Sequence, residues 1–261
     1  MMQISPLSDY ATVGAASFGV SISVQCPREY ASTISAQLPV NSKPLSDVDT
    51  EHRFSVTLDS PDGSLYAVKY RSMTKASLQP LDSALRILQK EMHLCVAEHA
   101  RNYVFIHAGV VECKGLGIVF PGSSYAGKST LVWSLLQSGA RYYSDEYAVF
   151  DQHGSVHPFT LPINLRFAGS ERQTVIPERA ASDAIKPDLI VFARYRRDAT
   201  WRPRMLRPAE CLLQLIRHSI AIRRNPAFVL PVLREISSQS RAYMGYRGDC
   251  QQIIDWLSLA R

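Results

Sequence analysis

The stretch that decides the fold is Phe120-Pro121-Gly122-Ser123-Ser124-Tyr125-Ala126-Gly127-Lys128-Ser129-Thr130. Its spacing matches G-x-x-x-x-G-K-[ST], in which backbone N–H groups surround a phosphate at the start of a helix. An apolar run at 116–120 precedes the loop and a leucine-rich run at 131–136 follows it, as expected for strand, loop and helix. The alternative, a glycine turn with an exposed lysine, leaves Gly127 and Ser129 unexplained. The sequence therefore predicts a phosphate-binding loop (P-loop) in an α/β core.

Each residue type in this segment has a defined task. Lys128 is expected to reach the β- and γ-phosphate oxygens as a point charge, and the Ser129 hydroxyl to occupy one position around Mg²⁺. Thr130 could share the second role, although the first hydroxyl after the lysine is the usual one. ATP and Mg²⁺ are thus the predicted ligands. The predicted nucleotide-contacting residues are Gly122, Ser123, Ser124, Tyr125, Ala126, Gly127, Lys128, Ser129 and Thr130.

Two adjacent carboxylates, Asp145 and Glu146, lie on the strand expected directly after this helix. In most P-loop ATPases the metal-binding aspartate lies farther along the chain, after additional strands. An Asp-Glu pair can also form a solvated hairpin corner. Because a predicted P-loop precedes the pair, we favour a functional site over a solvated corner, with the strand bringing the two carboxylates back beside the phosphates.

The remainder of the chain suggests two domains. Period-two alternation at 18–24, 52–58 and 65–70, with a Ser-Pro-Asp-Gly turn at 60–63, predicts strands. Helical spacing from 81 to 99 predicts a linking helix. Residues 1–100 are therefore expected to form a strand-rich N-terminal unit with this helix, and residues 101–261 a P-loop domain.

The last third of the chain is expected to add a strand at 188–193 and helices at 209–222 and 226–237. A strand at 242–246 and a helix at 249–259 follow. The predicted fold class is therefore α/β: a P-loop core with a small strand-rich N-terminal unit and a helical C-terminal tail.

Composition excludes several classes. The chain is 46% hydrophobic and 20% charged, which is typical of a globular protein and not of a disordered one. No apolar run approaches the roughly 18 residues of a membrane helix. The start has no basic region followed by an apolar one, so a cytoplasmic protein without membrane partners is expected. The net charge of +6 suits phosphorylated ligands, but only weakly.

The cysteines and histidines show no metal-binding spacing along the sequence. The five cysteines are scattered, without a CxxC pair, and are expected to be reduced. His93 and His99 are six residues apart on the predicted helix, so they do not share a face as an i, i+4 pair would. No zinc site is therefore expected.

The segment 107–146 resembles the catalytic core of bacterial HPr kinase/phosphorylase and its relatives, which share a nucleotide-binding fold with PEP carboxykinase. The matching features are His107 at a strand start, a Gly115-Leu116-Gly117 turn, the P-loop and the pair Asp145-Glu146. The resemblance implies that Asp145 takes the proton from the acceptor hydroxyl, with His107 near it. It also implies that Ser129 and the phosphates hold Mg²⁺, with Glu146 as a further metal-binding group.

The departures from that family concern the substrate. Glu146 replaces the second aspartate of the family's pair, and Thr130 replaces an acidic residue that often follows the P-loop serine. The family's glycine-rich Arg-Gly-Leu-Gly-Ile segment is absent, so the resemblance does not imply HPr as the substrate. The chain is more similar to shorter, divergent kinases of this superfamily, some of which phosphorylate a peptide hydroxyl in natural-product pathways.

Arginines supply two further candidates. Arg166, where divergent members keep a basic residue, is expected to stabilise charge on the transferring phosphoryl group, although a lone arginine is more often solvated. The arginine cluster, by contrast, could be a solvated loop, a substrate contact or a nucleic-acid surface. Trp201 is its only tryptophan, which disfavours base stacking, and no nucleic-acid partner is expected. Its members are Arg194, Arg196, Arg197, Arg202, Arg204 and Arg207.

Two functions remain open from the sequence. The first is an ATP-dependent kinase that acts on a serine-type hydroxyl of a peptide, protein or small molecule, in a chain that is compatible with a homo-oligomer. The second is a regulatory or scaffold protein in which the P-loop senses ATP without transferring its phosphate. The carboxylate pair close after the P-loop favours the enzyme.

Overall fold

The structure is a computed structural model that describes residues 9–123, 127–165 and 173–259. The fold is mixed α/β. The chain divides into two compact units, Met1–Asn102 (the N-terminal unit) and Tyr103–Arg261 (the C-terminal unit). Arg166 and the loop residues Ser124, Tyr125 and Ala126 lie outside the described residues.

The N-terminal unit contains a six-stranded sheet and two α-helices. Its elements are β1 (Tyr10–Ser17), β2 (Val20–Pro27), α1 (Ala31–Ser35), β3 (Lys43–Pro44), β4 (His52–Leu58), β5 (Tyr66–Tyr70), β6 (Met73–Gln79) and α2 (Leu81–His99). The strand order is β3-β1-β2-β4-β5-β6, with β2 and β4 parallel and the other pairs antiparallel.

The prediction of α2 is confirmed from Leu81 to His99. The sequence predicted this helix well because Leu85, Leu88 and Met92 recur at helical spacing, and all three are buried. Strand β1 was missed, since its sequence YATVGAAS is rich in small residues and alternates weakly. Phe18, which alternation assigned to a strand, instead forms the β1–β2 turn with Gly19, and both residues have positive φ.

The C-terminal unit contains the remaining elements. Its first half comprises β7 (Tyr103–Cys113), β8 (Leu116–Pro121), α3 (Lys128–Gln137), β9 (Arg141–Ser144), β10 (Tyr147–Asp151), β11 (Val156–His157), β12 (Ile163–Leu165) and β13 (Gln173–Val175). Its second half comprises β14 (Pro187–Tyr195), β15 (Arg204–Leu206), α4 (Pro208–His218), α5 (Pro226–Gln239), β16 (Arg241–Arg247) and α6 (Gln251–Leu259).

An eight-stranded mixed sheet organises this unit. Its order is β11-β10-β7-β8-β14-β16-β15, and β9 also pairs with β7. Strands β8, β14 and β16 are parallel to one another, so their carboxyl ends lie at the same edge of the sheet. The tail is therefore not simply helical: β16 lies inside the sheet between β14 and β15 and contributes to the edge where the loop after β8 begins.

Helices cover both faces of this sheet. Alternate residues of β14 belong to two different apolar clusters, since Ile190 contributes to one and Val191 to the other. Helices α4 and α5 pack in the first cluster, and α3 and α6 in the second. Burial on both faces explains the continuous apolar run at 189–193, within the strand that the sequence predicted at 188–193. None of the helices in the described ranges is long and apolar enough to cross a membrane.

Candidate functional site

The predicted P-loop segment, residues 122–129, joins β8 to α3 at the carboxyl edge of the sheet. Gly122 at its start donates a backbone hydrogen bond to the carbonyl oxygen of His107 at 3.1 Å. Gly127 at its end has a φ of 78° as the residue before α3, a left-handed conformation that favours glycine. Both motif glycines thus lie at positions that fix the path of the loop.

Lys128 is the first residue of α3 and is buried. Its amine donates a hydrogen bond to the carbonyl oxygen of Ser123 at 2.9 Å, so the side chain reaches back to the residue that follows Gly122. Burial lowers the pKa of Lys128, while the carboxylates of Glu146 and Asp145 act in the opposite direction. The glycine-turn alternative required an exposed lysine, and the structure places this lysine inside.

Asp145 and Glu146 lie between two short strands, β9 and β10, at a break in their pairing with β7. Ser144, the last residue of β9, pairs with Val110, whereas Tyr147, the first residue of β10, pairs with His107, so both strands use β7. The sequence predicted one continuous strand here. The hydroxyl of Ser144 accepts hydrogen bonds from the backbone N–H groups of Glu146 and Tyr147 at 3.1 and 3.0 Å. This local cap stabilises the break that places the two acids between the strands.

Asp145 is only 9% exposed, which contradicts the solvated-corner alternative. Burial raises the pKa of its carboxyl group, and hydrogen bonds from the side chains of Ser129 and Tyr142 oppose this increase. The Ser129 hydroxyl therefore acts on the carboxyl group of the first acidic residue. Thr130, by comparison, is exposed on α3.

Tyr142 holds Asp145 from the other side. Its buried hydroxyl lies 3.0 Å from Oδ1 of Asp145 and 2.9 Å from the carbonyl oxygen of Leu161. A hydroxyl has one proton and cannot donate to both acceptors at once. The Tyr142 hydroxyl positions the Asp145 carboxyl group beside the Leu161 carbonyl.

His107 lies beside the backbone of the acidic pair. Its Nδ1 is 2.8 Å from the carbonyl oxygen of Glu146, and because a carbonyl only accepts, Nδ1 is the donor. The backbone of Ala108 also donates to this carbonyl at 3.2 Å. His107 thus fixes the backbone of the acidic pair. Glu146 is half-buried, and its charge acts on Lys128.

Sequence reasoning missed Arg247, the last residue of β16. It is only 3% exposed, and its Nη2 donates to the carbonyl oxygen of Gly127 at 2.9 Å. Its guanidinium lies 5.7 Å from the ring centre of Tyr195, and its Nε has no hydrogen-bond partner among the residues that the structure describes. No local pattern distinguished this arginine, because the contact depends on the parallel order of β8, β14 and β16.

His218 at the end of α4 was also not selected for the site. Burial lowers its pKa to about 4, and the positive charges of His107, Lys128 and Arg194 act in the same direction. These charges mark His218 as part of the electrostatic environment of Lys128. The signal was absent from the sequence because α4 is remote from the P-loop along the chain.

The arginine cluster is exposed at all of its members. Arg204 pairs with Glu210 at 2.9 Å, and the Arg196 guanidinium lies 4.2 Å from the ring centre of Tyr246. These contacts agree with the solvated-loop alternative.

A scan against protein-family models and a search of curated proteins found no match to this chain. Function is therefore argued from the site itself. A buried cation, a hydroxyl and two carboxylates surround the end of a glycine loop that leads into a helix. Oxygen groups of this kind suit a hard divalent cation, and the lysine and the helix N-terminus suit an anion.

Proposed function

We propose that this protein is an ATP-dependent phosphotransferase that moves the γ-phosphoryl group to a hydroxyl of a peptide, protein or small molecule. Its C-terminal unit would have a P-loop core of the type found in HPr kinase/phosphorylase and PEP carboxykinase. The observation that carries the proposal is that Lys128 and Asp145 are both buried at the end of the loop, where the Ser129 side chain lowers the pKa of the Asp145 carboxyl group. An ordinary glycine turn requires none of these three groups.

The donor set fits magnesium. In P-loop enzymes the loop hydroxyl and an acidic residue on a neighbouring strand hold Mg²⁺ together. Ser129 and Glu146 are the residues that would hold the ion in this protein, beside Asp145. Mg²⁺ would supply neutralisation of phosphate charge, and Lys128 would add a second positive charge. Catalysis of this kind depends mainly on positioning and charge stabilisation.

Asp145 is the candidate proton acceptor. In the proposed transfer the acceptor oxygen forms a bond to the γ-phosphorus, and the bond from that phosphorus to the β,γ-bridging oxygen breaks to release ADP. The acceptor proton moves to Asp145. Burial raises the pKa of Asp145, which makes its ionised form a stronger base than a solvated carboxylate. Tyr142 and His107 are positioning residues in this scheme, since they hold the Asp145 side chain and the Glu146 backbone.

Two arginines would act on the phosphates in different ways. Arg166 remains the proposed group that stabilises the transferring phosphoryl charge. Arg247 supports the loop, because it holds the carbonyl of Gly127 immediately before Lys128. Its positive charge beside the loop also favours an anionic ligand.

Measurements of phosphate transfer and of ATP binding distinguish the proposed kinase from a protein that only senses ATP. We suggest incubating the protein with Mg²⁺ and ATP labelled at the γ-phosphate, with serine peptides and small alcohols as acceptors. Binding of Mg·ATP is measured in parallel by calorimetry. The key variant is Asp145→Asn, and Asp183→Asn, an exposed carboxylate paired with Arg141, is the matched control.

Loss of transfer in Asp145→Asn, with ATP binding retained and the control active, is the expected result. Binding without transfer that depends on Asp145 would identify an ATP sensor instead. Absence of Mg·ATP binding by the folded wild-type protein would overturn the P-loop assignment and both functions with it.

A further inference from the structure

A second group of metal-binding side chains lies in the N-terminal unit, where sequence analysis expected no zinc. His52, Cys95 and His99 each offer one ligand atom, and these atoms all lie within 4.8 Å of one another. The sequence analysis considered only His93 and His99, which lie on different faces of α2. The relevant pair on α2 is Cys95 and His99, which are four residues apart. His52 on β4 completes the group.

The cluster is compact and largely shielded from water. His52 and Cys95 are buried, and His99 is half-buried. The ring centres of His52 and His99 are 4.2 Å apart, and the Cys95 Sγ is 3.9 Å from Nδ1 of His99. The Tyr70 hydroxyl adds an oxygen, at 2.8 Å from Nδ1 of His52 and 3.9 Å from Sγ of Cys95.

One contact already orients a ligand. Nδ1 of His99 donates a hydrogen bond to the carbonyl oxygen of Cys95 at 2.9 Å, an arrangement typical of histidines that bind metals. Metal binding at Nε2 of His99 keeps this hydrogen bond, whereas binding at Nδ1 replaces it. Zinc–ligand bonds of about 2.0–2.3 Å require the ligand atoms to lie somewhat closer together than they do here.

We propose that the N-terminal unit binds one Zn²⁺-class divalent transition-metal ion through His52, Cys95 and His99. Two imidazoles and a thiolate select a borderline metal such as zinc over magnesium, which prefers oxygen. The Tyr70 oxygen or water completes the tetrahedron. On binding, the Cys95 thiol loses its proton to solvent and the thiolate coordinates the ion. The ion then links β4 to α2 and stabilises this unit, independently of the proposed phosphotransferase activity.

Cobalt provides a direct test, because a thiolate bound to Co²⁺ gives a charge-transfer band in the near ultraviolet. Full-length protein is treated with a chelator, desalted in a reducing buffer that does not bind metals, and titrated with Co²⁺ and then Zn²⁺. One Co²⁺ per chain should produce the band, and Zn²⁺ should remove it. A Mg·ATP site without a thiolate cannot produce this signal.

Three variants locate the site. Cys95→Ser should abolish the band, and His99→Gln should weaken Zn²⁺ binding by more than the about 10–100-fold expected for loss of an outer hydrogen-bond partner. Cys113→Ser, a half-buried cysteine of the other unit, should keep the band. Zn²⁺ should also raise the melting temperature of the wild-type protein. Absence of the band in folded wild-type protein, or its loss in Cys113→Ser with survival in Cys95→Ser, would overturn the proposal.

Discussion

Arg247 reaches the P-loop segment from the end of a different strand and donates a hydrogen bond to the carbonyl oxygen of Gly127 at 2.9 Å. The two residues are 120 positions apart in the chain. A Cβ added at Gly127 would lie 2.6 Å from Nη2 of Arg247. Gly127 therefore combines a left-handed backbone with a close side-chain approach, and the loop geometry depends on both.

Replacement of Arg247 should weaken both folding and nucleotide binding. Arg247→Met keeps apolar bulk but removes a charged hydrogen bond, which typically contributes about 1.5–3 kcal/mol. We expect a loss of unfolding free energy of this order, and weaker Mg·ATP binding because the Gly127 carbonyl loses its support. Denaturant unfolding and calorimetry measure the two effects. Arg241→Met changes an exposed arginine at the opposite end of β16 and should alter neither. If Arg247→Met and Arg241→Met had the same unfolding free energy and the same Mg·ATP affinity, Arg247 would not support the loop.

Substitution of Gly127 by alanine should reduce the unfolding free energy by more than the left-handed backbone conformation alone explains. Both Gly127 and Gly115 have positive φ, at 78° and 81°. A side chain in this conformation costs about 1–2 kcal/mol. Gly115 has open space around its Cβ position, whereas Gly127 faces Arg247. Gly127→Ala should therefore destabilise the protein more than Gly115→Ala in denaturant unfolding. Equal losses would show that Arg247 moves aside without cost.

Lys128→Ala should reduce Mg·ATP affinity without unfolding the protein. The amine is buried and its pKa is lowered by desolvation, so its removal relieves a buried charge in the free protein. Loss of a charged contact to phosphate should weaken binding by at least about 10-fold, as expected from about 1.5–3 kcal/mol. Calorimetry measures the affinity, with Lys186→Ala, an exposed lysine, as control. Unchanged ATP affinity in folded Lys128→Ala would falsify the P-loop assignment.

Local signals account for the parts of the fold that could be predicted from the sequence. The helix α2 and the buried strand β14 follow from patterns within each segment, and Gly127 indicated the start of α3. The break between β9 and β10 was not predictable, because it depends on the pairing of both strands with β7. The positions of Arg247 and His218 depend on strand order and helix packing, which no local pattern encodes.

The same distinction applies to the two candidate sites. Lys128, Ser129 and Asp145 were predicted because the motif and the carboxylate pair lie close together along the chain. His52 and Cys95 were not linked, because a strand and a helix must fold together before these side chains meet. The i, i+4 spacing of Cys95 and His99 was the one signal that could have directed attention to this cluster.

Asp145→Asn should increase the stability of the nucleotide-free protein at neutral pH. Burial raises the folded-state pKa of Asp145, so stability is fully present below its unfolded pKa and falls as pH rises through the folded value. The asparagine variant lacks this loss, and the stability difference should disappear in acid. Transfer should nevertheless fall by roughly 10²–10⁴-fold, the usual effect of losing a general base.

Asp183→Asn provides a control of opposite sign for the stability measurement. The hydrogen bond and charge of Arg141 lower the pKa of Asp183, so its ionised form is the favoured one in the folded protein. This variant should lose stability at neutral pH and approach the wild-type protein in acid. Thermal unfolding across pH distinguishes the two carboxylates. A loss of stability in Asp145→Asn at neutral pH would show that its hydrogen bonds outweigh its desolvation.

Nucleotide binding should raise the pKa of His218. Burial and then the charges of His107, Lys128 and Arg194 lower this pKa from 6.5 to about 4. The unfolded chain therefore takes up a proton at higher pH than the folded one, and His218 reduces stability as pH falls from 6.5 to about 4. A bound triphosphate adds negative charge near Lys128 and favours the protonated ring. NMR titration of the His218 ring with and without Mg·ATP measures the shift, and exposed His153 is the internal control. If the His218 titration is the same with and without Mg·ATP, the nucleotide binds elsewhere. An increase in the pKa of His218 but not of His153 would place the phosphates near Lys128.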